Sequence, residues 1–211
     1  MTPRILRERK RRISLLIKHL KALFPRVAIS LNYSTKWELL VAVMLSAQCT
    51  DKKVNEVTAL LFKKYPTFDS YLKARRKEFE QDIKQTGFYR AKAKNILATA
   101  ARIHTEYKNK VPNTMLDMLT LPGVARKTAN VVLGNAYGIV EGIAVDTHVK
   151  RFAQKFDLTD FSDPVRIERD LMQIIPKKEW FGFTYLAIEY GRKICPGRAH
   201  DCSKHIDLLK L

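Results

Sequence analysis

The chain is expected to be all-α. Three observations carry that expectation: apolar residues recur at helical spacing along nearly the whole length, no segment alternates convincingly as a strand would, and proline or glycine punctuates the sequence at helix-sized intervals. The first helix is expected over residues 4–23, ending before Pro25. Its basic start followed by Ile13 to Phe24 superficially mimics a secretory leader, but Lys18 and Lys21 interrupt the apolar part and no small-residue cleavage site follows. It reads as an amphipathic helix of the mature protein, with an organelle-targeting role for the arginine-rich start left open. Helices follow over 36–48 and over 51–65, the latter closed by Pro66, then over 68–75 and 79–84 before a break at Gly87. A long helix over 90–107 stops ahead of Pro112, and a short one over 115–119 runs into a Pro-Gly pair. Beyond that pair come 126–137, closed near Gly142; 147–156, with Asp146 placed to cap it; 164–175, bounded by Pro176; and 180–193. A length of 211 residues suits one large domain or two small ones, and 46% hydrophobic content is enough for a core. No low-complexity linker divides the chain, so any domain boundary is packed rather than flexible.

The most informative segment is Leu121-Pro-Gly-Val-Ala-Arg-Lys127-Thr-Ala-Asn-Val-Val, followed by Val145-Asp146-Thr-His-Val nineteen residues after the lysine. The Pro-Gly pair ends one helix and good helix formers start the next, giving helix, tight hairpin, helix. Free N–H groups at a helix start, reinforced by the helix dipole, make an anion site, and a hairpin without bulky side chains lets a phosphate approach them. Lys127 falls on the first turn of that helix, where the positive end disfavours an added cation and so favours a nucleophilic amine. Such amines form Schiff bases with carbon centres of aldehyde character, and a carboxylate such as Asp146 would stabilise the cationic intermediate or move protons. Taken singly, a lysine at a helix start is a solvated charge and an Asp-Thr pair is an N-cap. Together they suggest chemistry on the sugar of a nucleic-acid backbone.

The string LPGVARKTANVV with VDTHVKR resembles the helix-hairpin-helix DNA glycosylases, specifically the endonuclease III branch. The similarity extends through Leu45-Ser-Ala-Gln48-Cys-Thr-Asp51, Thr86-Gly-Phe88-Tyr-Arg90 and Gly191-Arg192, covering roughly Leu31 to Cys202. The resemblance implies a two-lobed fold with a cleft between the lobes: a helical barrel over about 28–138, and a second lobe combining 1–27 with 139–211. It further implies that Lys127 attacks C1′ of a damaged nucleotide, that Asp146 assists base departure, and that DNA lies across the cleft with these two residues on opposite walls. Relatives specific for adenine lack the lysine, so its presence implies a bifunctional enzyme that removes oxidised pyrimidines and nicks the abasic site by β-elimination. The hairpin residues Gly123, Val124 and Ala125 would grip phosphate. Ala125 stands where a second glycine is usual, and a methyl there tolerates positive φ poorly and crowds a phosphate.

The same resemblance assigns Gln48 as the amide that fills the gap left by an extruded nucleotide and Phe88 as the apolar wedge, a position often held by leucine. The bland alternatives are a core aromatic for Phe88 and a polar residue at a helix C-terminus for Gln48. Cys49 reads as a small buried apolar residue. At the C-terminus the family carries four cysteines around a four-iron-four-sulfur cluster. Here Cys195 and Cys202 keep the first spacing, but His205 and Leu211 occupy the other two positions. The favoured expectation is a lobe without the cluster, held by Ile194, Ile206, Leu208 and Leu209, with Arg198 keeping the loop's phosphate contact. An unusual cluster, a zinc site including His200, and a Cys195–Cys202 disulfide stay open as alternatives.

Charge fits a polyanionic partner: 39 Lys and Arg against 21 acidic residues give +18 at pH 7. The cations cluster in Arg4, Arg7, Arg9, Lys10, Arg11 and Arg12; in Lys73, Arg75, Arg76 and Lys77; in Arg90, Lys92 and Lys94; and at Lys150 and Arg151, the last expected to touch DNA. No apolar run approaches the length of a membrane span. The expected partner is damaged double-stranded DNA and no membrane, the expected location the cytoplasm at the nucleoid, and a single-nucleotide target suits a monomer. Two other functions are kept: an abasic-site lyase without glycosylase activity, and a non-catalytic DNA-binding protein. The second is disfavoured because a pure binder needs neither Lys127 nor Asp146.

Overall fold

The computed structural model describes residues 1–197. Arg198, His200, Cys202, His205, Ile206, Leu208, Leu209 and Leu211 lie outside them. Among the described residues the regular structure is helical, without strands. The chain divides into two compact units, one formed by Ser30–Ile139 and the other by Met1–Ile29 together with the chain from Val140 onward.

The unit spanning Ser30–Ile139 is built around α2 (Lys36–Leu45), whose run from Leu39 to Leu45 is wholly buried. A helix apolar all round belongs at the centre of a core. It packs against α3 (Asp51–Lys64), α6 (Tyr89–Tyr107) and α8 (Arg126–Tyr137). Threonine caps dominate here: Thr35, Thr50 and Thr67 each accept a backbone N–H at the starts of α2, α3 and α4 (Phe68–Leu72). Around α4 and α5 (Arg76–Asp82), Trp37, Tyr65, Tyr71 and Phe79 form a cluster with ring centroids 5.1 to 5.9 Å apart. Such pairs add about 0.5–1.5 kcal/mol each beyond their burial.

The other unit holds α1 (Pro3–Leu23), α9 (Thr147–Lys155), α10 (Pro164–Ile174) and α11 (Trp180–Lys193). Ile13, Leu16, Ile17 and Leu20 present the buried stripe of α1, as its amphipathic pattern predicts, and meet Phe152, Phe156, Ile167, Leu171, Phe183 and Tyr190. Ile194 packs against this core.

Boundaries agree with the periodicity except where distant residues intervene. The helix expected over 36–48 ends at Leu45. The segment expected as 79–84 is the helix Arg76–Asp82 followed by a single 3-10 turn, Lys84–Thr86, and that expected as 68–75 stops at Leu72. Two members of the expected basic clusters do not belong on the surface. Arg9, 3% exposed, donates to Asp160 Oδ1 at 2.7 Å and to the Asp157 carbonyl at 3.0 Å. Lys92 is buried.

Candidate active site

The hairpin between α7 (Met115–Thr120) and α8 is a tight turn in which the Val124 N–H donates to the Leu121 carbonyl at 3.1 Å. Pro122 and Gly123 are its central residues, and Gly123 has φ +75°. This combination is the type II arrangement, which requires a residue tolerant of positive φ at its third position. Glycine is required for a second reason: a methyl at Gly123 would lie 2.6 Å from Asn95 Nδ2. Thr99 Oγ1 donates to the Pro122 carbonyl at 2.9 Å, and an Arg102 N–H donates to the Thr120 carbonyl at 2.6 Å, so α6 buttresses the turn from behind.

The first backbone bond of α8 runs from the Ala129 N–H to the Ala125 carbonyl, so the N–H groups of Ala125, Lys127 and Thr128 lie outside the helix ladder and can meet an anion. Ala125 is the N-cap residue, with φ −93° and ψ 169°. The expected conflict with positive φ therefore does not arise, because the position is extended rather than left-handed. Gly123 and Ala125 are exposed, whereas Val124 turns its side chain into the core. Lys127 is the second residue of α8, exposed, and its side chain has no hydrogen-bond or ion-pair partner among the described residues.

Asp146 caps α9. Its Oδ1 accepts the N–H of His148 at 2.9 Å and of Val149 at 2.8 Å, leaving Oδ2 outside those bonds. The capping bonds fix the carboxylate's direction, and such a cap contributes about 1 kcal/mol. Arg151, further along α9, donates through Nη2 to the Cys195 carbonyl at 3.1 Å and lies 3.2 Å from His148 Nδ1. A methyl at Gly197 would come within 2.9 Å of its Nη1. Arg151 thus orders the chain leaving α11. Lys155 Nζ lies 3.4 Å from the buried Cys195 sulfur.

Gln48 and Phe88 are both exposed, Phe88 at 67%, so Phe88 is not the core aromatic of the bland alternative. Both have left-handed backbones, φ +52° and +46°. Cys49 is half-buried rather than buried.

One buried residue near these turns, Lys92, belongs to a basic cluster that the sequence alone presents as surface charge. Lys92 Nζ donates to the carbonyls of Leu45 and Thr86, each at 2.7 Å. Burial pushes its pKa below the usual lysine value, opposed by a smaller effect of Cys49. Desolvating an ammonium costs several kcal/mol and two charge-assisted bonds return about 1.5–3 kcal/mol each, so the arrangement is near balance for stability. The signal in the sequence is spacing: Lys92 shares the inward stripe of α6 with Ile96, Thr99 and Ile103.

A buttressed glycine turn with open amides, a lysine on the helix it starts, and a capping aspartate on a later helix define the class of helix-hairpin-helix base-excision proteins. The model of the HhH-GPD superfamily base excision DNA repair protein matches residues 41–177. Endonuclease III of a Synechocystis species is 48% identical over 196 residues, spanning 93% of this chain and 90% of the relative. Endonuclease III of Bacillus subtilis is 43% identical over 183 residues, spanning 86% and 83%. Among solved structures, a non-covalent endonuclease III–DNA complex superposes with TM-score 0.90 at 40% identity, covering 96% of this chain and 94% of that one. A trapped endonuclease III–DNA covalent intermediate, the estranged-adenine complex, gives 0.87 at 41% identity, with 92% and 91% covered. The chain belongs to the endonuclease III family of this superfamily.

Proposed function

We propose that this protein is a bifunctional DNA glycosylase and abasic-site lyase that acts on oxidised pyrimidines in duplex DNA. The observation that carries the reading is the exposed Lys127, without a side-chain partner among the described residues, on the first turn of a helix whose hairpin offers backbone amides to phosphate. The Lys127 amine attacks C1′ as the bond to the base breaks, and the base leaves with a proton. Opening of the sugar gives a protonated imine, which acidifies C2′–H. Loss of that proton expels the 3′-phosphate, and hydrolysis of the imine frees the lysine. Asp146, held by its cap bonds, supplies negative charge to the cationic stages. Gln48 and Phe88 fill the space left when the nucleotide leaves the stack, and Arg198 meets a phosphate.

Borohydride reduction of the imine is the test, on duplexes carrying thymine glycol or an abasic site. Wild type should give a covalent adduct on both and Lys127→Ala on neither. An adduct at the abasic site alone would leave a lyase, and tight binding without any adduct would leave a DNA-binding protein.

The donor set at the C-terminus does not fit a four-iron-four-sulfur cluster. Two of the four ligand positions hold His205 and Leu211, and leucine has no donor atom. The chain has three cysteines in all, and Cys49 belongs to the other unit. No step above passes through a metal. Protein purified anaerobically should contain substoichiometric iron and lack a band near 400 nm; one cluster's worth of iron per chain would refute this.

A further inference from the structure

Lys92 joins two turns that are distant in sequence. Leu45, whose carbonyl takes one of its N–H bonds, is three residues before Gln48, and Thr86, whose carbonyl takes another, is two residues before Phe88. The backbone N–H of Lys92 also donates to the Phe88 carbonyl at 3.0 Å. Gln48 and Phe88 are non-glycine residues in the left-handed region, a strained conformation that persists only where the surroundings enforce it. Each turn therefore holds an exposed side chain in a costly backbone state, and a single ammonium grips the backbone behind both. Methionine is one heavy atom shorter but nearly equal in volume, so it removes the charge and the donors while largely keeping the packing.

We propose that Lys92 is a positioning residue that locks the Gln48 and Phe88 turns to one another, so that both side chains enter the duplex as one unit where the nucleotide is extruded. This rests on the reading above that these two side chains meet DNA. The ammonium is buried and acts through the Leu45 and Thr86 carbonyls, not on the substrate.

The experiment is single-turnover nicking of an abasic site in a duplex and in the same strand alone. A single strand has no orphaned partner base and no stack to wedge, so the lysine chemistry there needs neither turn. Lys92→Met should lose about tenfold or more on the duplex, a difference of about 1.4 kcal/mol, while staying within about twofold of wild type on the single strand. Lys92→Arg, which keeps donors and charge, should recover most of the loss. On a Gln48→Ala/Phe88→Ala background the Lys92→Met change should add nothing.

Equal losses on both substrates, no loss on the duplex, or full additivity on the double background would each overturn the proposal. A double variant that nicks the duplex at the wild-type rate would instead refute the roles of Gln48 and Phe88. If Lys92→Met does not fold, Lys92→Gln, which is one atom shorter and cannot reach both the Leu45 and Thr86 carbonyls, enters the same comparison with the same criteria.

Discussion

Asp146 serves two purposes at a single residue, and the two are separable. Its Oδ1 caps α9 through His148 and Val149, a purely structural role that asparagine also fills well. Its negative charge is what the proposed chemistry uses, and asparagine lacks that. Asp146→Asn should therefore melt within about 2 °C of wild type while base excision falls by about a hundredfold or more, within the range typical of acid/base groups. Asp146→Ala should lose both, with the cap's absence costing about 1 kcal/mol. Undiminished excision by the asparagine variant, measured on a thymine glycol duplex, would remove the carboxylate from the mechanism. Lys127 and Asp146 were legible in the sequence because their surroundings are local: a turn and a helix start for one, a helix start for the other. Phe88 was not decidable in that way, since exposure of an aromatic depends on what the rest of the fold leaves uncovered.

At the scale of elements, α2 shows why a helix end resists sequence reading. Continuing the helix would offer the Leu45 carbonyl to the Cys49 N–H, but Lys92 takes that carbonyl and Cys49 donates to Ser46 instead, at 3.1 Å. Ser46 Oγ bonds back to the Val43 carbonyl at 2.8 Å, a local competitor of the kind that serine supplies. The joint between α1 and the loop after α9 is a second long-range device. Arg12 donates to Asp157 Oδ2 at 2.9 Å and Arg9 reaches Oδ1 at 3.4 Å. The Arg12 hydrogen bond, with help from the Arg9 charge, holds the Asp157 carboxyl below the usual aspartate range. Because the folded pKa is depressed, the unfolded chain takes up the proton first on acidification. The stabilisation is thus present above the unfolded pKa of about 3.9 and is lost as pH falls through the folded value. The gap in Tm between wild type and Asp157→Asn should be open at neutral pH and close on acidification below about pH 4. Because the side chain is mostly exposed, the gap should be small. A gap constant down to pH 2.5 would exclude this ion pair as its source.

For the whole molecule, the +18 charge sets how strongly association responds to salt. Arg9 and Lys92 are spent internally, but exposed cations such as Arg4, Arg7, Lys10 and Arg11 on α1 and Lys94 on α6 remain in solvent. The logarithm of the DNA association constant should fall linearly with that of salt concentration, by about 0.9 for each phosphate neutralised. Fluorescence anisotropy with undamaged duplex should show at least about a tenfold loss in affinity between roughly 50 and 200 mM salt. Binding indifferent to salt would mean that these cations do not face phosphate. Among the described residues no helix is long and apolar enough to cross a membrane.

The sequence by itself determined the helical class, the positions of most helices, the glycine turn, and the pairing of a first-turn lysine with a capping aspartate. Each depends on residues within a few positions of one another, where periodicity, caps and turn chemistry act. The tertiary structure decided which cations are buried, where α2 stops, that Ala125 is extended rather than left-handed, and that Gln48 and Phe88 stand exposed on strained turns. Lys92 meets a carbonyl 47 residues away, and Arg9 meets one 148 residues away. Contacts at such separation form only when packing brings remote elements together, and no local pattern of residues encodes which carbonyl a buried cation will find.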